Sequence, residues 1–230
     1  MLSALGWSVA RVVVGTLTKL VATGFLAYVT TVKFFSFHKP LRRLFLITMY
    51  VSGGMIPIYL WYMKIGLTES FTVYWLPTLL SAYEMMIIAS YIEGLPEAMS
   101  ESARIDGANE ITIFVKIIMP LCIPVFAALG VMVAVGHWNS WFDVLIYNPS
   151  GEYDTLQISL RNILIESDKI KKLMQDATAG SAAAKSAASR ISTTSMRAAT
   201  TMIVTIPIVC VYPFFQKYFV KGISIGAVKG

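Results

Sequence analysis

The stretch Glu97–Pro120, EAMSESARIDGANEITIFVKIIMP, decides how this chain is read. It is the longest segment dense in charge between two strongly apolar regions, and its residues predict two short helices broken by a glycine. Pro96 and Glu97 suit a first helical turn, because proline lacks only an N–H that is unpaired there and a carboxylate complements the positive helix end. Gly107 stops that helix, since glycine adopts the left-handed C-cap conformation readily. Asn109 then caps a second helix with Glu110 in its first turn. Ala98, Ser102, Ala103 and Ala108 are small, which leaves room for a partner's backbone, and Glu101 and Arg104 offer polar contacts at the rim. The small residues alone better describe an ordinary surface helix–turn–helix.

Around this stretch the chain is oily. Of 230 residues, 56% are hydrophobic and only 14% are charged. The mean hydropathy is +0.66. A soluble domain carries about 25% charged residues, so the composition indicates an integral membrane protein. The net charge of +6 then speaks of membrane topology, because lysine and arginine collect on the cytoplasmic side. A nucleic-acid surface would set basic residues among exposed aromatics, whereas most aromatics here lie in or beside apolar runs.

Cys122 and Cys210 both fall in apolar segments without a second ligand at metal spacing, and read as packing thiols. His38 and His137 stand in no triad or metal pattern. There is no G-x-x-x-x-G-K-[ST] phosphate loop. No catalytic residue, metal or cofactor is therefore expected, and any ATP hydrolysis belongs to another subunit.

A spanning helix needs about 20 mostly apolar residues. Five segments qualify: 7–32, 44–63, 71–92, 119–142 and 198–219. The predicted fold is an all-α polytopic transmembrane bundle, one domain over 1–230. Lys33, His38, Lys39, Arg42 and Arg43 form the densest basic loop, which the positive-inside rule places in the cytoplasm. Counting from there, the loop 94–120 is cytoplasmic and the segment 143–197 lies outside. Within 143–197, Leu156, Leu160, Ile163 and Leu164 suit an amphipathic helix across the outer mouth, where it meets a solute-binding protein or simply lies on the bilayer or bundle. Residues 177–201, rich in Ala, Ser and Thr, read as a link into the last span.

Charges inside spans are expensive, at least about 2.5 kcal/mol each at the membrane centre. Lys19 and Glu84 lie near the middle of the first and third expected spans, at similar depth. They are expected to pair beside a translocation path, unless Lys19 snorkels or meets a partner subunit. Tyr83 and Asn139 are further candidates for that path, through ring stacking and amide hydrogen bonds, although Asn139 better suits a helix–helix contact. Trp138 and Trp141 read as interfacial anchors. Pro57, Pro77, Pro124 and Pro207 each have the capacity to bend a span.

Glu101-Ser102-Ala103, Gly107, Ile117 and Pro120 resemble the EAA–G–I–LP signature of the membrane subunits of bacterial ABC importers. Ser102 replaces the usual alanine and Met119 the usual leucine; the spacing is intact. Met49–Pro57, His137–Phe142, Tyr212–Gly222 and Gly226–Gly230 are similar to the carbohydrate-uptake branch of these binding-protein-dependent permeases, in a sub-branch for complex, often acidic oligosaccharides. The resemblance covers nearly the whole chain but begins at the family's second helix. It implies a six-span type I permease fold whose first transmembrane helix is missing here.

The resemblance further implies an ATPase-docking loop carried by Glu97, Ala98, Glu101, Ser102, Ala103, Arg104, Asp106, Gly107, Ile117 and Pro120. The implied partners are a second, related permease, two cytoplasmic ABC ATPase subunits, an extracytoplasmic solute-binding protein, an oligosaccharide and membrane lipid. The implied location is the bacterial cell membrane. An ion-coupled secondary transporter or channel using Lys19 and Glu84 is the alternative, and a non-transporting membrane scaffold a third.

Overall fold

The structure is a computed structural model that describes residues 1–177, 195 and 198–210. Among these residues there is no strand. The architecture is built around α1 (Leu2–Thr31), an unbroken helix of 30 residues, about 45 Å at 1.5 Å per residue. That exceeds a hydrocarbon core of about 30 Å. Against it pack α4 (Ala82–Glu93) and α8 (Ile123–Asn139). Two glycines allow the close approach to α8. A Cβ on Gly15 would lie 2.6 Å from His137 Nε2, and one on Gly24 would lie 2.6 Å from Phe126 Cζ. The main core joins Ala27 and Tyr28 of α1 to Met85, Ile88 and Ala89 of α4 and to Leu129 of α8.

The expected spans correspond only partly to continuous helices. Among the described residues, α1 alone is long and apolar enough to cross a membrane, or three spans exist if two bent helix pairs each count as one. The expected helix 44–63 is two helices, α2 (His38–Thr48) and α3 (Met55–Lys64). Between them Ser52-Gly53-Gly54 interrupts the backbone, with Gly54 at φ +80°. Glycine pairs weaken a helix interior through backbone entropy. The expected helix 71–92 begins as 3₁₀ turns at Phe71–Tyr74 and Leu76–Thr78, bent by 48° from α4. Pro77 has no N–H to give an α-helix there.

The expected helix 119–142 is bent hardest. Helix α6 (Glu110–Ile113) runs through a π-turn (Phe114–Ile118) into the short α7 (Met119–Leu121), and this arm meets α8 at 79°. Pro120 and Pro124 flank that corner. The last span is described only as α11 (Ala198–Cys210). Its continuation to 219 and the resemblances at Tyr212–Gly222 and Gly226–Gly230 lie outside the described residues.

The two ends of α1 differ in company. At its C-terminal end, Lys33 pairs with Glu97 and Arg42 with Glu93, so the basic loop and the helix α5 (Glu97–Ile105) sit at one end of the bundle. At its N-terminal end, Ser8 Oγ accepts the Leu156 N–H at 2.8 Å and holds the start of α10 (Leu156–Ala177). Short α9 (Phe142–Tyr147) lies at that same end. Leu156 and Leu160 of α10 are buried with Trp138. Trp138 is thus a packing residue rather than a lipid-facing anchor: its indole N–H donates to the Val204 carbonyl of α11 at 3.1 Å.

Candidate functional site: a helical hairpin and a buried polar column

Helix α5 ends as its residues predict. Gly107 sits at φ +79°. Its N–H donates to the Arg104 carbonyl at 3.0 Å, and the Ala108 N–H to the Ala103 carbonyl at 2.9 Å. This pair of bonds is a Schellman C-cap, which needs a left-handed residue at that one position. No atom approaches within 4 Å of where a Gly107 Cβ would be, so backbone conformation, not crowding, demands the glycine. Asn109 then caps α6, its side chain accepting the Thr112 N–H at 2.8 Å. Two caps back to back make a sharp, defined turn.

The hairpin presents a small-residue surface. Ala98, Glu101, Ser102, Asp106 and Gly107 are exposed, Glu97 pairs with Lys33, and Ala103 is half-buried. The hydrogen bond from Lys33 to Glu97 raises the lysine's pKa. Arg104 turns inward, with Nε 2.9 Å from Glu110 Oε1 and Nη2 3.3 Å from Oε2; the hydrogen bond to Glu110 raises its pKa as well. Ile117 and Pro120 are not on the hairpin surface. Ile117 packs against the core in the π-turn, and Pro120 belongs to the arm leading to α8. Beside the hairpin a cavity of about 840 Å³ opens, lined among others by Lys39, Arg42, Glu93, Glu97, Glu101 and Arg104.

Inside the bundle, Lys19 Nζ lies 2.9 Å from Glu84 Oε1, with the two side chains 15% and 14% exposed. Glu84 is not mid-helix, as the expected span implied. It occupies the first turn of α4, where Ser81 Oγ caps its N–H at 3.4 Å. A helix N-terminus favours a carboxylate, so two effects hold its charge. Ser81-x-x-Glu84 is a capping-box sequence that marks this helix start, and it was the signal available.

A second charge pair lies nearer the other end. Arg11, 2% exposed, donates to both oxygens of Asp143, with Nη1 3.2 Å from Oδ1. Ser140 Oγ and the Val144 N–H also donate to Asp143, at 2.7 and 3.0 Å. The guanidinium lies 4.9 Å from the centre of the Tyr74 ring. Sequence reasoning passed over this pair. Its signal was spacing: Arg11, Gly15 and Lys19 recur every four residues, on one face of a helix. The structure puts the His137 ring against Gly15, between the two pairs. Tyr83 and Asn139 stand apart from this column. Tyr83 is 52% exposed, and the Asn139 amide oxygen is 3.5 Å from Gln157 Nε2 of α10.

A long apolar helix, a column of charge pairs largely shielded inside the bundle and an exposed small-residue hairpin describe a transport bundle with an external contact. Residues 3–225 match the family described as the binding-protein-dependent transport system inner membrane component. The chain belongs to that family. This favours the importer reading over an ion-coupled carrier. Protein LplC of Bacillus subtilis (strain 168) is 36% identical over 233 residues, covering 100% of this chain and 75% of its own. The polygalacturonan/rhamnogalacturonan transport system permease protein YtcP of the same strain is 34% identical over 224 residues, covering 97% and 75%. A crystal structure of a bacterial ABC transporter involved in the import of the acidic polysaccharide alginate shares the fold. Its TM-score is 0.79 at 23% identity, covering 94% of this chain and 74% of the other. The chain is thus a transport permease component with the all-helical fold of that structure.

Proposed function

We propose that this chain is the permease subunit of an ABC importer for complex, often acidic oligosaccharides, working by ATP-driven alternating access. One observation carries the docking part. The α5–Gly107–Asn109 hairpin is rigidly capped, rich in small residues and exposed at the end of the bundle that carries the basic loop. The positive-inside rule makes that end cytoplasmic, within reach of an ATPase subunit. Glu97, Ala98, Glu101, Ser102, Ala103, Asp106 and Gly107 form the contact, while Arg104, Ile117 and Pro120 hold it. The acidic-oligosaccharide reading draws on the similarity to the polygalacturonan/rhamnogalacturonan permease protein and to the alginate importer, and on the sequence resemblance.

The assembly is a second, related permease, two ATPase subunits and an extracytoplasmic solute-binding protein, in the cell membrane. The exposed, non-helical residues 49–54 support the second permease. Unpaired backbone is tolerated at membrane depth only against protein or a water-filled path. Helix α10 faces the binding protein. Lys19 and Glu84 lie beside the translocation path, with Tyr83 and Asn139 as further contacts. Glu84 Oε2 is buried without a hydrogen-bond partner among the described residues.

Purification of the importer through a tag on this chain tests the docking. The ATPase is expected to co-purify, and Glu101→Lys to lower its yield about tenfold, the equivalent of ~1.4 kcal/mol. Equal ATPase recovery with both chains would end the reading. For the inner pair, Lys19→Met and Glu84→Gln are each expected to lower the amount of folded protein in the membrane, because each leaves its partner without a counter-charge. The double substitution should restore most of it. A double variant inserted no better than either single one would show that the pair is not energetically coupled.

A further inference from the structure

Glu110 is where three parts of the molecule meet. Its carboxylate accepts two hydrogen bonds from Arg104 of α5. It also accepts the hydroxyl hydrogen of Tyr28, a residue of α1 only 3% exposed. The Tyr28 ring packs at 5.6 Å, centre to centre, on Phe114 of the π-turn. Arg104 in turn lies 5.0 Å from the centre of the Phe34 ring, just past the end of α1. Hydrogen bonds to an ionised group are roughly twice as strong as neutral ones, and a carboxylate has lone pairs enough for all three.

The covalent route out of the hairpin is poor at passing on a displacement. From α6 the chain goes through the π-turn and a 79° corner before reaching α8. Turns of that kind absorb motion. Helix α1 has no such break over its 30 residues. It also touches both other core helices, α4 through Lys19–Glu84 and α8 through Gly15 under His137.

We propose that Glu110 is a positioning residue that fastens the α5–α6 hairpin to α1, so that a displacement of the docking helix is delivered first to α1 and only then, through packing, to α4 and α8. The proposal rests on the docking reading above and adds the route by which the motion enters the bundle. Tyr28 and Arg104 are the two arms of the clamp.

The test uses the whole importer with its ATPase in lipid nanodiscs, without substrate. Spin labels are placed on Met99 of α5 with Leu17 of α1, and on Met99 with Met132 of α8; all three side chains are more than 40% exposed. Distances are compared without nucleotide and with ATP and vanadate. The Met99–Leu17 distance is expected to stay within ~2 Å, the scale of packed-helix adjustments, while Met99–Met132 changes by more. In Glu110→Gln and in Tyr28→Phe, which keeps the ring and removes only the hydroxyl, the Met99–Leu17 distance is expected to become nucleotide-dependent. A parent Met99–Leu17 distance that shifts as much as Met99–Met132 would overturn the clamp, with docking intact. Absence of the ATPase from the purified parent complex would overturn the docking reading, and the clamp with it.

Discussion

Asp143→Ala is expected to destabilise the protein by about 3–5 kcal/mol, the range for removing one partner of a buried ion pair. The cost comes from what is left behind. Arg11 is 2% exposed, and Asp143 is its carboxylate partner in the structure. Its Nε already lacks a hydrogen-bond partner among the described residues, so loss of the carboxylate leaves a buried cation held only over the Tyr74 ring. The same change frees Ser140 Oγ and the Val144 N–H, which start α9. Asp143→Asn keeps an acceptor and should lose less. The double change Arg11→Met with Asp143→Leu should recover most of the stability, since buried pairs are often replaceable by apolar residues of similar volume. The measurement is the fraction of protein that stays monodisperse in detergent across a temperature ramp. An Asp143→Ala variant as heat-resistant as the parent would show that the pair contributes nothing.

The second large effect is on the hairpin turn. Gly107 occupies a left-handed conformation with no atom of this chain near its absent Cβ, so within the chain a substitution there costs backbone strain alone, and a strain-governed contact ranks the larger Asn above Ala. Asn tolerates this conformation, Ala pays roughly 1–2 kcal/mol, and a β-branched residue such as Val is a true outlier there. The expected order of ATPase co-purification and of sugar uptake is Gly above Asn, Asn above Ala, Ala above Val, with Val at or near background. Loss of the Schellman bonds would release the Ala103 and Arg104 carbonyls and re-aim α6 relative to α5. An equal yield across the four residues would mean that the turn geometry does not shape the docking surface.

Much of the hairpin was legible because its determinants are local. Pro96, Gly107 and Asn109 act within four residues of themselves, through a missing N–H, a missing Cβ and a side-chain acceptor. The observed bonds at Gly107 and Asn109 follow that reading, while Pro96 stands just outside the helix as its N-cap. The spans were less legible, since hydropathy counts apolar residues and does not see whether the backbone between them stays helical. Ser52-Gly53-Gly54, Pro77 and the Pro120–Pro124 corner each lie inside an apolar run, and each interrupts or bends it.

The charges divide the same way. Lys19 and Glu84 stood out because a lone charge in an oily segment has few places to go, and the structure puts them 2.9 Å apart. Arg11 and Asp143 are 132 positions apart, and Asp143 lay just beyond the expected end of its helix, so no local pattern joined them. Trp138 looked like an interfacial anchor by its place in the chain, until α11 supplied the Val204 carbonyl for its indole N–H.

By itself, the order of residues determined that this is an oily, all-helical membrane protein with one exposed elbow of small side chains, because composition, helix caps and loop charge act over short distances along the chain. Only the tertiary structure decided which buried charges neutralise each other, where the apolar runs break, and that Tyr28 of α1 reaches the elbow through Glu110. Those outcomes depend on which helix faces meet, and a contact between distant segments is set by the packing of the whole bundle.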